Sequence, residues 1–83
     1  MRDHLDITRH ILADQLGIRN KENIKPSDRL VKDLGADSID IVEIAMAFED
    51  KYNTSIPDDE VKSLTTVAGL VAYLEGRFPN EDK

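Results

Sequence analysis

Residues 34–60 read LGADSIDIVEIAMAFEDKYNTSIPDDE, and this segment decides the fold of the chain. Asp37 is a favourable N-cap residue, and Asp40, three positions later, gives the pattern of a capping box. The spacing therefore predicts a helix that begins near Ser38 and extends to about Tyr52. The acidic run DDE at the end of the segment favours a further short helix, since negative charge is stabilised at a helix N-terminus.

Helical periodicity continues on both sides of this segment. Within residues 5–16, one side of a helix collects Leu5, Thr8, Ile11, Leu12 and Leu16, and Gly17 offers a stop. After the two threonines at 65–66, an apolar stripe over residues 67–78 predicts a last helix. No stretch alternates strictly as a half-buried strand does. The prediction is an all-α bundle with three main helices and one short helix.

A long loop should connect the first two helices, over residues 19–36. Pro26 and the polar residues after it mark a turn within this loop. Ile24, Leu30, Val31 and Leu34 recur in it, so we expect the loop to lie against the core. We expect one domain over residues 1–83, with residues 79–83 as a frayed tail.

Composition restricts the classes of function. The chain has 83 residues and a net charge of −6, which argues against nucleic acid as a partner because the phosphates would repel it. It has no cysteine, so neither a disulfide nor a thiolate metal site is available. No apolar run approaches the ~20 residues of a membrane span, and the N-terminus lacks a signal core. We expect a soluble, cytoplasmic monomer with no membrane insertion.

The negative charge is concentrated in one region. Residues 37–60 contain eight acidic side chains and one lysine and so carry −7, while the rest of the chain carries +1. Such a field attracts basic partners and raises their rates of association. An acidic face that only keeps the chain soluble is the alternative interpretation.

The second helix has an unusually wide apolar arc, which covers more than half of its circumference. A bundle of this size is too small to cover all of it, since a surface helix needs only about 100° of apolar stripe. We expect Ile39 and Met46 to be exposed and Val42 to be only partly covered. An exposed apolar strip rimmed by acids suits a protein partner. The alternative, that the preceding loop covers the strip, is equally open at this point.

Ser38 has three possible roles. Helix capping is the commonest role for such a serine, but Asp37 already fills the capping position. A catalytic nucleophile needs an adjacent base, and the only imidazoles, His4 and His10, fall in the first helix. The third role is attachment of a phosphate-linked group at the helix N-terminus, with the chemistry supplied by another protein.

The chain resembles the acyl carrier proteins over nearly its whole length. The resemblance rests on Leu34-Gly35, Asp-Ser-x-Asp around Ser38, the acidic helix, Ile56-Pro57-Asp58 and Thr65-Thr66-Val67, in this order. It implies a four-helix carrier that is not itself an enzyme and has no catalytic or metal-binding residues of its own. It also implies that Ser38 accepts phosphopantetheine from coenzyme A through a phosphopantetheinyl transferase, and that the arm carries acyl groups as thioesters.

The resemblance also implies a surface and a cavity. The acidic positions would meet basic patches on the transferase and on fatty-acid or polyketide synthesis enzymes, and the apolar positions would contact the same partners beside those patches. Together the positions of this predicted partner surface are Asp37, Ile39, Asp40, Val42, Glu43, Met46, Glu49 and Asp50. An acyl chain could enter between the helices, where the candidate lining residues are Val31, Phe48, Ile56 and Leu74.

Some residues depart from the commonest family pattern and leave alternatives open. Ile39 stands where leucine is usual, and Lys51 interrupts a run that is often acidic. A specialised carrier of an amino acid, polyketide or unusual acyl group therefore stays possible, although Ala36-Asp37 favours the acyl class over peptidyl carriers. An acidic helical adaptor is the rival from another class. A calcium loop is disfavoured because DLGADSIDIVE lacks the Asp-x-Asp-x-Asp-Gly order of ligands.

Overall fold

The computed structural model describes residues 4–78 and contains four α-helices and no β-strand within them. The helices are α1 (His4–Leu16), α2 (Ser38–Tyr52), α3 (Asp58–Ser63) and α4 (Val67–Arg77). The all-α prediction is confirmed, with three main helices and a short one. The predicted frayed tail lies outside the described residues, and the single domain over the full chain stays a prediction.

The capping box at the start of α2 forms as the sequence predicts. The Asp37 carboxylate accepts a hydrogen bond from the Asp40 backbone N–H at 2.9 Å, and the Asp40 carboxylate accepts one from the Asp37 N–H at 3.1 Å. At the other end, Asn53 takes the left-handed conformation with φ of 53° and stops the helix after Tyr52. Both ends of α2 are therefore set by local chemistry.

The long loop between α1 and α2 is attached to the bundle along its length. Arg9 donates to the Ile24 carbonyl at 2.8 Å, and the Leu30 N–H donates to the Thr65 carbonyl at 2.9 Å. Ile24 and Leu30 are buried, which confirms that the loop lies against the core. The loop also contains a short 3-10 turn, Lys21–Asn23, that the sequence did not predict.

The core combines apolar residues of α1, α2 and α4 with those of the loops. Its buried members are Ile11, Leu12, Ile24, Leu30, Ala36, Ile44, Phe48, Ile56, Val67, Leu70 and Leu74. Within residues 4–78, no helix combines the length and the apolar character that crossing a membrane requires. The bundle thus presents the N-terminus of α2 on a small, tightly anchored framework.

Candidate functional site

Ser38 is the first residue of α2, and its side chain is exposed. Gly35 turns the chain with φ of 76°, and buried Ala36 is held by a hydrogen bond from its N–H to the Leu30 carbonyl at 2.9 Å. Asp37 then caps the helix, so the Ser38 hydroxyl is not needed for capping. Within residues 4–78 this hydroxyl makes no hydrogen bond, and it is available for modification from solvent.

Neither imidazole lies beside Ser38. His4 bonds to the Tyr52 hydroxyl at 2.7 Å, and Tyr52 is the last residue of α2, about 21 Å along the helix axis from Ser38. His10 lies in a surface pocket with Asp50 and Lys51, also in the last part of α2. The described part of the chain therefore offers Ser38 no imidazole base that could activate it as a nucleophile.

An apolar strip on α2 is exposed next to Ser38. Ile39, Val42 and Met46 expose 65%, 55% and 58% of their surface. The predicted exposure of Ile39 and Met46 is confirmed, and Val42 is as open as they are. The preceding loop does not cover the strip, which decides between the two alternatives that the helix pattern left open. A strip of this kind is typical of a protein-binding surface.

The acidic residues around this strip differ in their bonding. Asp37 and Asp40 are engaged in the capping box, and the Glu49 carboxylate accepts a hydrogen bond from the Ile56 backbone N–H at 2.7 Å. Glu43 and Asp50 are exposed, and they make no hydrogen bond or ion pair among the described residues. The five acids of the predicted surface cannot be told apart in the sequence. In the structure, Glu43 and Asp50 are the two among them whose side chains have no hydrogen bond within residues 4–78 and are fully available to a partner.

A groove of about 830 Å³ begins at Ser38 and extends along α2. Ile41, Val42 and Met46 of α2 line it, as do Val31 of the preceding loop and Val61 of α3. Its lining is mainly apolar, with Arg29, Lys32, Lys62, Asp37 and Glu49 as the charged residues. An exposed serine that lines an apolar groove fits a flexible arm that carries an apolar cargo.

Beneath the groove lies an interior cavity of only about 20 Å³, which has room for about one water molecule. Phe48, Ile56 and Leu74 line this cavity, as do Val61 and other residues of the core. Val31 does not: it exposes 60% of its surface and lies in the open groove. Val31 therefore lines the outer groove and not the small cavity, and its assignment as a residue that contacts an acyl chain stays a prediction.

Comparisons with known proteins agree with this site. The family model described as "Phosphopantetheine attachment site" matches residues 6–74. The chain is 43% identical over 70 residues to the acyl carrier protein of Wolinella succinogenes, covering 84% of this chain and 91% of the relative. It is 40% identical over 73 residues to the acyl carrier protein of Helicobacter hepaticus, covering 88% and 95%.

The fold also matches a solved structure. A Mycobacterium tuberculosis protein, provisionally assigned as an acyl carrier protein, superposes with a TM-score of 0.82 at 20% identity. The match covers 90% of this chain and 99% of the other. At this level of identity the likeness establishes the fold only.

The chain is thus a carrier with a covalent prosthetic group rather than an enzyme. It belongs to the acyl carrier protein family, whose cofactor is phosphopantetheine and whose role is to carry acyl groups. Membership implies interaction with a phosphopantetheinyl transferase and with synthesis enzymes.

Proposed function

We propose that Ser38 is the residue that bears the phosphopantetheine arm. The observation that carries this proposal is the exposed Ser38 hydroxyl, which has no hydrogen bond within residues 4–78 and lines the apolar groove. Ser38 Oγ forms a phosphodiester bond to the phosphopantetheine of coenzyme A and loses its proton to the transferase, while adenosine bisphosphate leaves. When attached, the arm supplies a thiol that holds acyl groups as thioesters.

The first turn of α2 favours the added phosphate. The unpaired backbone N–H groups and the positive end of the helix dipole stabilise an anion at this point. Asp37 and Asp40 oppose it by charge repulsion, but each carboxylate accepts a backbone N–H of the capping box, which holds it at the cap. The two aspartates therefore position Ser38 and do not act as ligands of the phosphate.

We also propose that the face of α2 is the docking surface for the transferase and the synthesis enzymes. An apolar strip within an acidic rim matches a partner with an apolar patch surrounded by Lys and Arg. The proposed surface consists of Asp37, Ile39, Asp40, Val42, Glu43, Met46, Glu49 and Asp50. Glu43 and Asp50 have no described intramolecular contact, so they are its most available charges.

The cargo is proposed to be an acyl intermediate of fatty-acid or related biosynthesis, carried by a cytoplasmic monomer. A chain without cysteine fits the reducing cytoplasm. Loading assays with acyl, amino-acid and polyketide donors would separate a general fatty-acid carrier from a specialised one. A general carrier is expected to accept saturated acyl groups of several lengths and to reject amino acids.

Intact mass after incubation with coenzyme A and a phosphopantetheinyl transferase tests the attachment site. The native chain should gain the mass of one phosphopantetheine, and Ser38→Ala should gain nothing. Ser55→Ala is the matched control, since it removes an exposed hydroxyl elsewhere and should be modified normally. Circular dichroism would verify that both variants fold. Modification of Ser38→Ala, or an unmodified native chain, would overturn the proposal.

A further inference from the structure

Helix α3 covers the interior cavity. It has only six residues, Asp58–Ser63, and a helix of this length is not stable without tertiary contacts. Val61 on α3 and Leu64 directly after it line the cavity, together with Tyr73 of α4. Since the cavity has room for about one water molecule, an acyl chain can enter only if an element that lines it moves, and α3 is the shortest of the helices that do so.

A network of polar contacts holds α3 to α4. The Tyr73 hydroxyl donates to the Glu60 carboxylate, and Arg77 Nη1 donates to the Tyr73 hydroxyl at 2.7 Å. Arg77 Nη1 also lies 3.7 Å from Glu60 Oε1, and its guanidinium carbon lies 5.6 Å from the centroid of the Tyr73 ring. Arg77 Nη2 donates to Thr54 Oγ1 at 3.3 Å, which adds the loop before α3 to the network.

Among the side chains that the structure describes, the polar contacts from α3 to another helix all involve the Glu60 carboxylate. Tyr73 is the central member, because its ring lines the cavity while its hydroxyl holds α3. Burial, and then the hydrogen bond to Glu60, raise the pKa of Tyr73, so the hydroxyl stays protonated and can donate at neutral pH.

We infer that Tyr73, Glu60 and Arg77 form a latch that sets how readily α3 opens, and thereby which acyl chains the protein shields in its interior. Short acyl groups remain in the outer groove and do not require opening. Long apolar chains gain burial only after the latch releases, so its strength sets the preference between the two classes of cargo. The part of this inference that concerns cargo rests on the proposed function.

Hydrogen exchange of the unmodified chain tests the latch without any cargo. Tyr73→Phe keeps the ring and removes the hydroxyl, and backbone amides of α3 should then exchange about tenfold faster, as expected for loss of one charge-assisted hydrogen bond. Amides of α1 should accelerate less. Glu75→Gln is the control, since it removes one charge from α4 outside the latch and should leave α3 unchanged. Equal acceleration of α3 and α1, or none, would overturn the inference.

Thermal unfolding of loaded protein tests the effect on cargo. An octanoyl chain that enters the interior raises Tm relative to an acetyl group, since binding to the folded state stabilises it. This octanoyl-minus-acetyl difference should be larger in Tyr73→Phe than in the native chain, because opening is easier. A purely structural role would lower both melting temperatures equally, and an unchanged difference would contradict the inference.

The two experiments separate the inference from the proposed function. If Ser38 cannot be loaded, the attachment proposal fails, while hydrogen exchange still decides whether the latch controls α3. If loading succeeds and α3 exchange is unaffected by Tyr73→Phe, the attachment site stands and the latch is rejected.

Discussion

The Glu49 carboxylate accepts a hydrogen bond from the backbone N–H of Ile56 at 2.7 Å, which joins the last part of α2 to the loop that leads into α3. Ile56 is buried and lines both the interior cavity and the outer groove. Glu49 therefore has a structural role besides any contact with a partner, because it holds Ile56, one of the residues that line both the cavity and the groove.

Replacing Glu49 by alanine should lower the free energy of unfolding by about 1–2 kcal/mol, since a hydrogen bond to a charged group is lost at a partly exposed site. Urea denaturation measures the change. Asp50→Ala removes the same charge one residue later, at an exposed position without a described contact, and should have little effect. Equal losses in the two variants would show that charge, and not the Ile56 contact, is responsible.

The sequence predicted those features that depend on neighbours along the chain. The start of α2 and its capping box follow from Asp37 and Asp40, which are close in sequence and whose carboxylates bond to each other's backbone N–H groups. The exposure of Ile39 and Met46 was also predictable, because it depends on the width of one helical arc and the size of the bundle.

The features that the sequence did not predict depend on contacts between distant parts of the chain. The family resemblance implies Val31 as a cavity-lining residue, but the direction of its side chain depends on the path of the long loop, and it exposes 60% of its surface. The contact between Tyr73 and Glu60 joins residues of two helices, and no local pattern marks it. A surface acid that binds a partner and one that anchors a loop, such as Glu49, look the same in sequence.

Thr8 allows a test of how a buried hydroxyl group affects the stability of the core. It is fully buried in α1, and its hydroxyl has no hydrogen-bond partner within residues 4–78. Thr8→Val keeps the shape and removes the unsatisfied polar atom, so the free energy of unfolding should rise by about 1 kcal/mol. In a domain of this size that corresponds to an increase in Tm of about 4–8 °C.

Calorimetry would measure this change, with Thr8→Ser as the companion variant. Serine keeps the hydroxyl and loses a buried methyl group, so its Tm should fall. A lower Tm for Thr8→Val as well would mean that the hydroxyl makes a stabilising contact.

The raised pKa of Tyr73 predicts a loss of stability at alkaline pH. Burial and the hydrogen bond to Glu60 raise the pKa above the ordinary value of 10.0, so the protonated hydroxyl is favoured more in the folded state than in the unfolded state. The resulting stabilisation is complete below pH 10.0 and is lost as pH rises through the raised value of the folded state.

The difference in unfolding free energy between the native chain and Tyr73→Phe isolates this contribution, because the lysines titrate in both proteins. The difference should be constant at neutral pH and should shrink above pH 10.0. Denaturant titrations at a series of pH values would measure it. A difference that grows with pH would have the wrong sign for a tyrosine whose folded-state pKa is raised.

Glu43→Lys should slow association with a basic partner and leave the fold intact. Glu43 is exposed beside the apolar strip and makes no hydrogen bond or ion pair among the described residues, so reversing its charge weakens attraction at the proposed surface. Stopped-flow binding to a phosphopantetheinyl transferase measures the association rate. Every chain compared also carries Ser38→Ala, which prevents turnover. At about 0.15 M salt, where charges act over ~8 Å, we expect a decrease in association rate of roughly tenfold.

Glu75→Lys is the matched control, because it makes the same change in net charge on an exposed position of α4. At this ionic strength it should slow association far less than Glu43→Lys does, since it lies outside the proposed surface. At higher salt concentration, the association rates of Glu43→Lys, Glu75→Lys and the chain without either change should become similar. If the two lysine variants associate equally fast at 0.15 M salt, the attraction comes from the net charge of −6 and not from the α2 face.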